Sequence, residues 1–249
     1  MLLKIAQGVF WILAVCLMPG TAYGEGRDVL PGNAAYKVEV FRGGTWEEIF
    51  VYNARVSDYA GNPEAGYTQY TMGFALFTDS FRQPLKVRVT RRAGTFSKVE
   101  IRPLSYGIVP NVQTPNSVEF ELDDPAQKVS VEFDDNRMEN LFILPDLPDT
   151  AIPTGANVTY FGPGIHNMGR KEILYKDNQT IYLDEGALVY GSIYAKGCRN
   201  LTIRGRGILC SSKENHGDGR QPQIETFDCD GFKVEGILLR DTPNWTLKI

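Results

Sequence analysis

Apolar and polar residues alternate along most of this chain with a period of two, and they do so in two styles. From residue 36 to about 145 the alternation is clean: Tyr36-Lys37-Val38-Glu39-Val40, Leu85-Lys86-Val87-Arg88-Val89, Val99-Glu100-Ile101, Val118-Glu119-Phe120-Glu121-Leu122 and Val129-Ser130-Val131-Glu132-Phe133. Each run puts apolar side chains on one face and charged ones on the other, as a half-buried strand requires. Turn signals separate the runs: Arg42-Gly43-Gly44, Arg92-Ala93-Gly94, Asp123-Asp124-Pro125 and Asp134-Asp135-Asn136. Antiparallel sheets with one solvated side, a small β-sandwich, are predicted. Helical periodicity is nearly absent. Leu144-Pro145-Asp146-Leu147-Pro148-Asp149 reads as an extended, proline-stiffened link. It divides a sandwich over residues 25–148 from a second unit over 149–249.

The second unit repeats. Val158-Thr159-Tyr160-Phe161, Ile181-Tyr182-Leu183-Asp184, Leu201-Thr202-Ile203-Arg204 and Phe232-Lys233-Val234-Glu235 each carry apolar or aromatic residues at their first and third positions, which are expected to point inward. Gly164, Gly186 and Gly207 recur 22 and then 21 residues apart, and Gly205 and Gly236 are 31 apart, as if one turn carried an insertion of about ten residues. A unit this short cannot bury its apolar face alone, so successive turns must stack. The leucine-rich framework of the same period is missing. Short strands with glycine at the corners predict the first coils of a right-handed parallel β-helix, giving an all-β chain; an antiparallel meander is the competing arrangement.

Residues 1–24 resemble a secretion signal. Lys4 precedes an apolar run from Val9 to Leu17, Pro19-Gly20 breaks it, and Ala22-Tyr23-Gly24 offers small residues for cleavage near Gly24. The run is too short to cross a bilayer of about 30 Å. Leu13-Ala14-Val15-Cys16 is a poor lipoprotein box, because valine precedes a cysteine lodged inside the apolar run. A secreted or periplasmic monomer with no integral membrane segment is expected. A net charge of −4 and a pI near 5.4 argue against a nucleic-acid partner. Beyond the signal lie Cys198, Cys210 and Cys229, at separations that fit no metal or redox motif. They are expected as small buried hydrophobes, a single disulfide being the lesser alternative.

Few residues suggest chemistry. Asp123-Asp124 and Asp134-Asp135 sit in turns, where aspartate bonds its local backbone. The insertion Ser211 to Gln221 carries His216-Gly217-Asp218-Gly219, and His216 with Asp218 could do acid–base work if the loop overhangs a groove. Gly205-Arg206-Gly207 lacks the final glycine and the strand-to-helix setting of a dinucleotide site. Sequons begin at Asn157, Asn178, Asn200 and Asn244, three of them at strand starts. Trp46, Trp245, Tyr182, Tyr190 and Tyr194 are the candidate sugar platforms. Trp245 shares parity with Leu247 and Ile249 and is expected in the core. Tyr182 has outward parity and is the better surface candidate for substrate binding.

Ile101-Arg102-Pro103-Leu104-Ser105-Tyr106-Gly107, Tyr160-Phe161-Gly162-Pro163-Gly164-Ile165-His166, Asn200 through Leu209 and Gly236 through Thr246 together resemble polygalacturonase-type glycoside hydrolases. These are the family 28 enzymes and the related dextranase-type family 49, in which a sandwich precedes a pectin-lyase-like right-handed β-helix. The resemblance runs from about Tyr36 to the end of the chain. It implies inverting hydrolysis of a polysaccharide without cofactor or metal. One carboxylic acid protonates the leaving oxygen, and other carboxylates activate water from roughly 6.5–9.5 Å away. The acid needs neighbouring negative charge to raise its pKa.

The catalytic aspartates of that family lie one to two coils after the segment matched by Pro243-Asn244-Trp245, and this sequence stops at Ile249. No residue here matches a catalytic position, and Asp241 alone cannot supply both partners. His216 does not inherit the family histidine, which also comes later. The expectation is therefore the front part of an enzyme, inert by itself, with an apolar cross-section after Leu247-Lys248-Ile249. A polysaccharide lyase and a non-catalytic carbohydrate-binding or adhesion β-helix are the alternative readings.

Overall fold

The computed structural model describes residues 32–58, 68–136, 138–214, 219 and 221–249. The signal-like segment 1–24, His216 and Asp218 lie outside them. Two five-stranded sheets come first. One orders β2 (Thr45–Ile49), β1 (Tyr36–Arg42), β5 (Leu85–Arg91), β8 (Ser117–Leu122) and β7 (Asn111–Thr114). The other orders β3 (Val51–Asp58), β4 (Thr68–Thr78), β10 (Leu141–Asp146), β9 (Val129–Phe133) and β6 (Val99–Arg102). Their inner faces meet in one core, in which Val38, Val87, Leu122, Val131, Leu141 and Ile143 are buried. The apolar positions of the alternating runs fill it, and the charged positions form the solvated outer face.

One pairing departs from the antiparallel expectation. β10 runs parallel to β4, with Leu144 opposite Leu76 and Asp146 opposite Thr78. Part of the expected link is therefore strand. Pro145 is tolerated because β9 pairs only Leu141 to Ile143, so the proline sits beyond the antiparallel ladder and lacks no needed donor. The acidic pairs do serve turns: Asp124 accepts from Ala126 N–H, and Asp134 accepts from the N–H groups of Ser97 and Lys98.

From Val158 the chain coils. β11 (Val158–Phe161), β13 (Thr180–Leu183), β15 (Thr202–Gly205) and β18 (Lys233–Glu235) form one parallel sheet. Ile181, Ile203 and Val234 stand in register, 22 and 31 residues apart, so the glycine spacing does measure the coil. A second sheet holds β12 (Gly164–Leu174), β14 (Ala187–Lys196), β16 (Ile208–Cys210), β17 (Ile224–Phe227), β19 (Leu238–Arg240) and β20 (Leu247–Lys248). β14 pairs β16 with its first half and β17 with its second, which places the insertion at residues 211–223 between two strands of one coil.

Close stacking explains the corners. Gly205 has φ 137°, and a Cβ there would overlap the Leu183 carbonyl oxygen of the preceding coil. Gly191 has φ 150° at the bend of β14 and packs as closely on Gly169. Asn178 and Asn200 occupy left-handed turns on successive coils, and Asn200 Nδ2 donates to Asn178 Oδ1 at 3.0 Å. These two sequon asparagines form a hydrogen-bonded ladder. Facing in the first segment differs from expectation. Val158 pairs Thr180 and Tyr160 pairs Tyr182, so both point outward, while Thr159 and Phe161 share the inward columns of Ile181 and Leu183.

Candidate functional site

The coils present three outer flanks, and two are covered. Phe74 of β4, with Tyr52, Leu76, Phe142 and Leu144, lies on Leu188, Tyr190, Ile208 and Cys210, so the sandwich seals the front half of the second sheet. The flank of β13 and β15 is closed by the link. Arg204 Nη2 donates to both Asp149 oxygens at 2.8 and 2.6 Å and to Ala151 O at 3.2 Å, and Arg206 Nε donates to Leu147 O at 2.7 Å.

Tyr182 belongs to this clasp. Its outward parity holds, yet the residue is 0% exposed, because its ring lies between Tyr160, stacked at 5.8 Å, and Arg204, whose guanidinium is 5.7 Å away. The expected open sugar platform is therefore a buried part of the junction. Burial first, then the negative charges of Asp149 and Asp184, pushes its hydroxyl up to about 12. The hydroxyl has no hydrogen bond of ordinary geometry. Tyr160 is half exposed and donates to Asp184 Oδ2 at 2.5 Å.

The third flank, the outer face of the second half of β14 with β17 and β20, is open. Glu172, Tyr194, Glu225 and Lys248 form one outward column, and Leu174, Lys196 and Phe227 the next. Arg170 lies 5.0 Å over the Tyr194 ring and reaches Glu225 at 3.4 Å, while Lys248 binds the other Glu225 oxygen at 2.7 Å. Trp245, expected in the core, is 65% exposed in the segment that leads into β20. Leu247 pairs Ile224 and so keeps the inward column, yet it is 40% exposed and Ile249 84%, so the whole segment around Trp245 is exposed; Thr242 Oγ1 donates to the Trp245 carbonyl at 3.1 Å. Flat rings beside fixed donors and acceptors suit the mixed apolar and hydroxylated faces of a sugar.

Two carboxylates of this unit, Glu225 and Asp149, are held below their ordinary range. The Lys248 hydrogen bond first, then Arg170, outweighs burial at Glu225 and lowers its pKa. At Asp149 burial opposes, but Arg204 and the Ala151 N–H outweigh it and hold the group below the usual carboxylate range. Both shifts run opposite to the raised pKa that a general acid needs. Asp241 is buried against Arg240 at 3.1 Å. Of the other expected platforms, Tyr190 is buried under the sandwich with Lys213 Nζ 4.1 Å over its ring, and Trp46 stacks beneath Arg88 at 3.8 Å on the outer sandwich face. The structure brings together Tyr194, Glu225 and Lys248, of which the sequence offered only Tyr194.

No family model and no curated protein matches this sequence. Among solved structures the fold is similar to that of Dex49A from Penicillium minioluteum, with a TM-score of 0.57 at 18% identity. The match covers 92% of this chain and 61% of Dex49A. The shared property is the fold. It is a β-sandwich followed by a parallel β-helix.

Proposed function

We propose that this protein is a polysaccharide-binding member of the dextranase-type family 49 lineage. It is exported, and it holds a neutral α-glucan along the open flank of Arg170, Tyr194, Glu225 and Trp245. The observation that carries the reading is the fold likeness to Dex49A over nine-tenths of the chain. The sequence segments quoted for the family 28 and 49 hydrolases support it independently. A neutral glucan suits the protein better than a polyuronate, because a net charge of −4 repels a polyanion. Hydrolysis in this lineage inverts the anomeric carbon through paired carboxylates. Among the described residues Glu225 is held in ion pairs on the open flank, which suits sugar binding and not proton donation, and Asp149 is engaged in the covered clasp.

Electrophoresis through gels containing dextran or polygalacturonate tests the reading. Retardation by dextran alone, weakened in a Tyr194→Ala, Trp245→Ala variant, is the expected result. Equal mobility in both gels and in plain gel would overturn it. Reducing sugar released from dextran by the 249-residue chain would overturn the assignment of binding without turnover.

A further inference from the structure

Coils stacked in register bring side chains from distant parts of the sequence to the spacing of neighbouring strands, about 4.8 Å. That spacing falls within the Cα separation of about 4.4–6.8 Å that a disulfide accepts. One pair of cysteines occupies such positions. Cys198 and Cys229 lie in the turns that follow β14 and β17, 31 residues apart, the same step that separates Ile203 from Val234. The register there is locked on both sides. Arg199 and Asp230 form a parallel bridge, Asp230 N–H donates to Cys198 O at 2.9 Å, and Cys198 N–H donates to Cys229 Sγ at 3.4 Å. Both thiols are free; Cys198 is buried and Cys229 is partly exposed. The third described cysteine, Cys210, lies on another sheet face beneath the sandwich, 3.3 Å from Ser212 Oγ.

We propose that Cys198 and Cys229 are a cross-linking site, closed by thiol–disulfide exchange with a small disulfide such as oxidised glutathione. The Cys229 thiolate, the one that solvent reaches, attacks the reagent, forms a mixed disulfide and releases one small thiol. The Cys198 thiolate then attacks Cys229 Sγ, forms the protein disulfide and expels the second thiol. Two protons leave the protein, and two electrons pass to the reagent. Today each sulfur donates weakly to a main-chain carbonyl, Cys198 to Ile173 O at 3.3 Å and Cys229 to Phe227 O at 3.5 Å. Closure therefore begins with rotation of both side chains away from these carbonyls. The closed loop would contain the 211–223 insertion and staple its coil to the one before. Burial holds the Cys229 thiol above its ordinary value, so exchange gains speed as pH rises.

The test equilibrates the folded chain with oxidised glutathione, then counts thiols in denaturant and maps non-reduced peptides. The expected result is a loss of two thiols, one Cys198–Cys229 peptide pair, and a melting temperature several degrees higher that falls back on reduction. Cys210→Ser should behave as the wild type, and Cys229→Ala should lose both the cross-link and the redox dependence of melting. An unchanged thiol count, stable glutathione adducts, or a cross-link through Cys210 would overturn the proposal.

Discussion

The sandwich and the coils bury similar apolar columns, but they fix them in place differently. In the sandwich the strands pair mostly antiparallel with neighbours from different parts of the sequence, and the outer face carries charged pairs such as Arg88 with Glu119 at 2.6 Å. In the coils each strand from β13 onward lies directly on its counterpart one turn earlier, with backbone in contact at glycine corners. A sandwich turn can therefore shift to accept a side chain. A coil corner cannot, because the neighbouring main chain already occupies the space.

The largest difference should appear at those corners. Gly205→Ala forces a Cβ into the Leu183 carbonyl at φ 137°, so a loss above roughly 4 kcal/mol, or failure to fold, is expected. Gly94→Ala, at φ 74° with nothing nearby, should cost only about 1 kcal/mol. Urea titration of the two variants side by side measures the contrast, and equal losses would abolish it.

Core truncations come next and should not distinguish the two regions. Ile143→Ala in the sandwich and Ile203→Ala in the coils, both 0% exposed, should each cost about 2–5 kcal/mol. A coil truncation that costs nothing in thermal unfolding would mean that the coils do not melt with the sandwich.

The clasp joining the regions ranks third. Asp149→Asn removes the partner of Arg204, whose side chains are 11% and 25% exposed, and should cost about 1.5–3 kcal/mol at neutral pH. The Asp149 carboxyl titrates below its unfolded value of about 3.9. Its contribution is therefore fully present above that value and is lost as pH falls through the lower folded value. The gap between wild type and variant should begin to shrink as pH falls below about 3.9 and close toward the lower folded value, and a gap that stays constant in acid would contradict the ion pair.

The smallest effect belongs to the outer sandwich face. Glu121→Gln breaks a 3.8 Å pair with Lys86 in which both side chains are more than half exposed, and should stay within about 0.5 kcal/mol of the wild type.

The same contrast explains what the sequence reveals. Sandwich strands are legible because one face meets water, so Val38, Val87 and Val131 alternate with charges. In the coils β13 and β15 are legible through the 22-residue step, but β14 is not. Seven of its first seven residues are buried, because the sandwich covers what would otherwise be its polar face, and the alternation disappears. Tyr182 misleads for a related reason. Parity gives its direction correctly, whereas the cover comes from Tyr160 and from Arg204 clasped by Asp149, whose docking leaves no local signal. On the open flank Tyr194 is visible as an aromatic, but its pairing with Arg170, Glu225 and Lys248 depends on register between coils of unequal length. The insertion at 211–223 hides that register.

Backbone nuclear Overhauser contacts in a deuterated sample test the stacked coils most directly. Parallel stacking predicts contacts between Thr180 and Thr202, Ile181 and Ile203, and Leu183 and Gly205, then between Ile203 and Val234, all rising in step along both strands. Contacts in which one residue number rises as the other falls would show antiparallel pairing and contradict it.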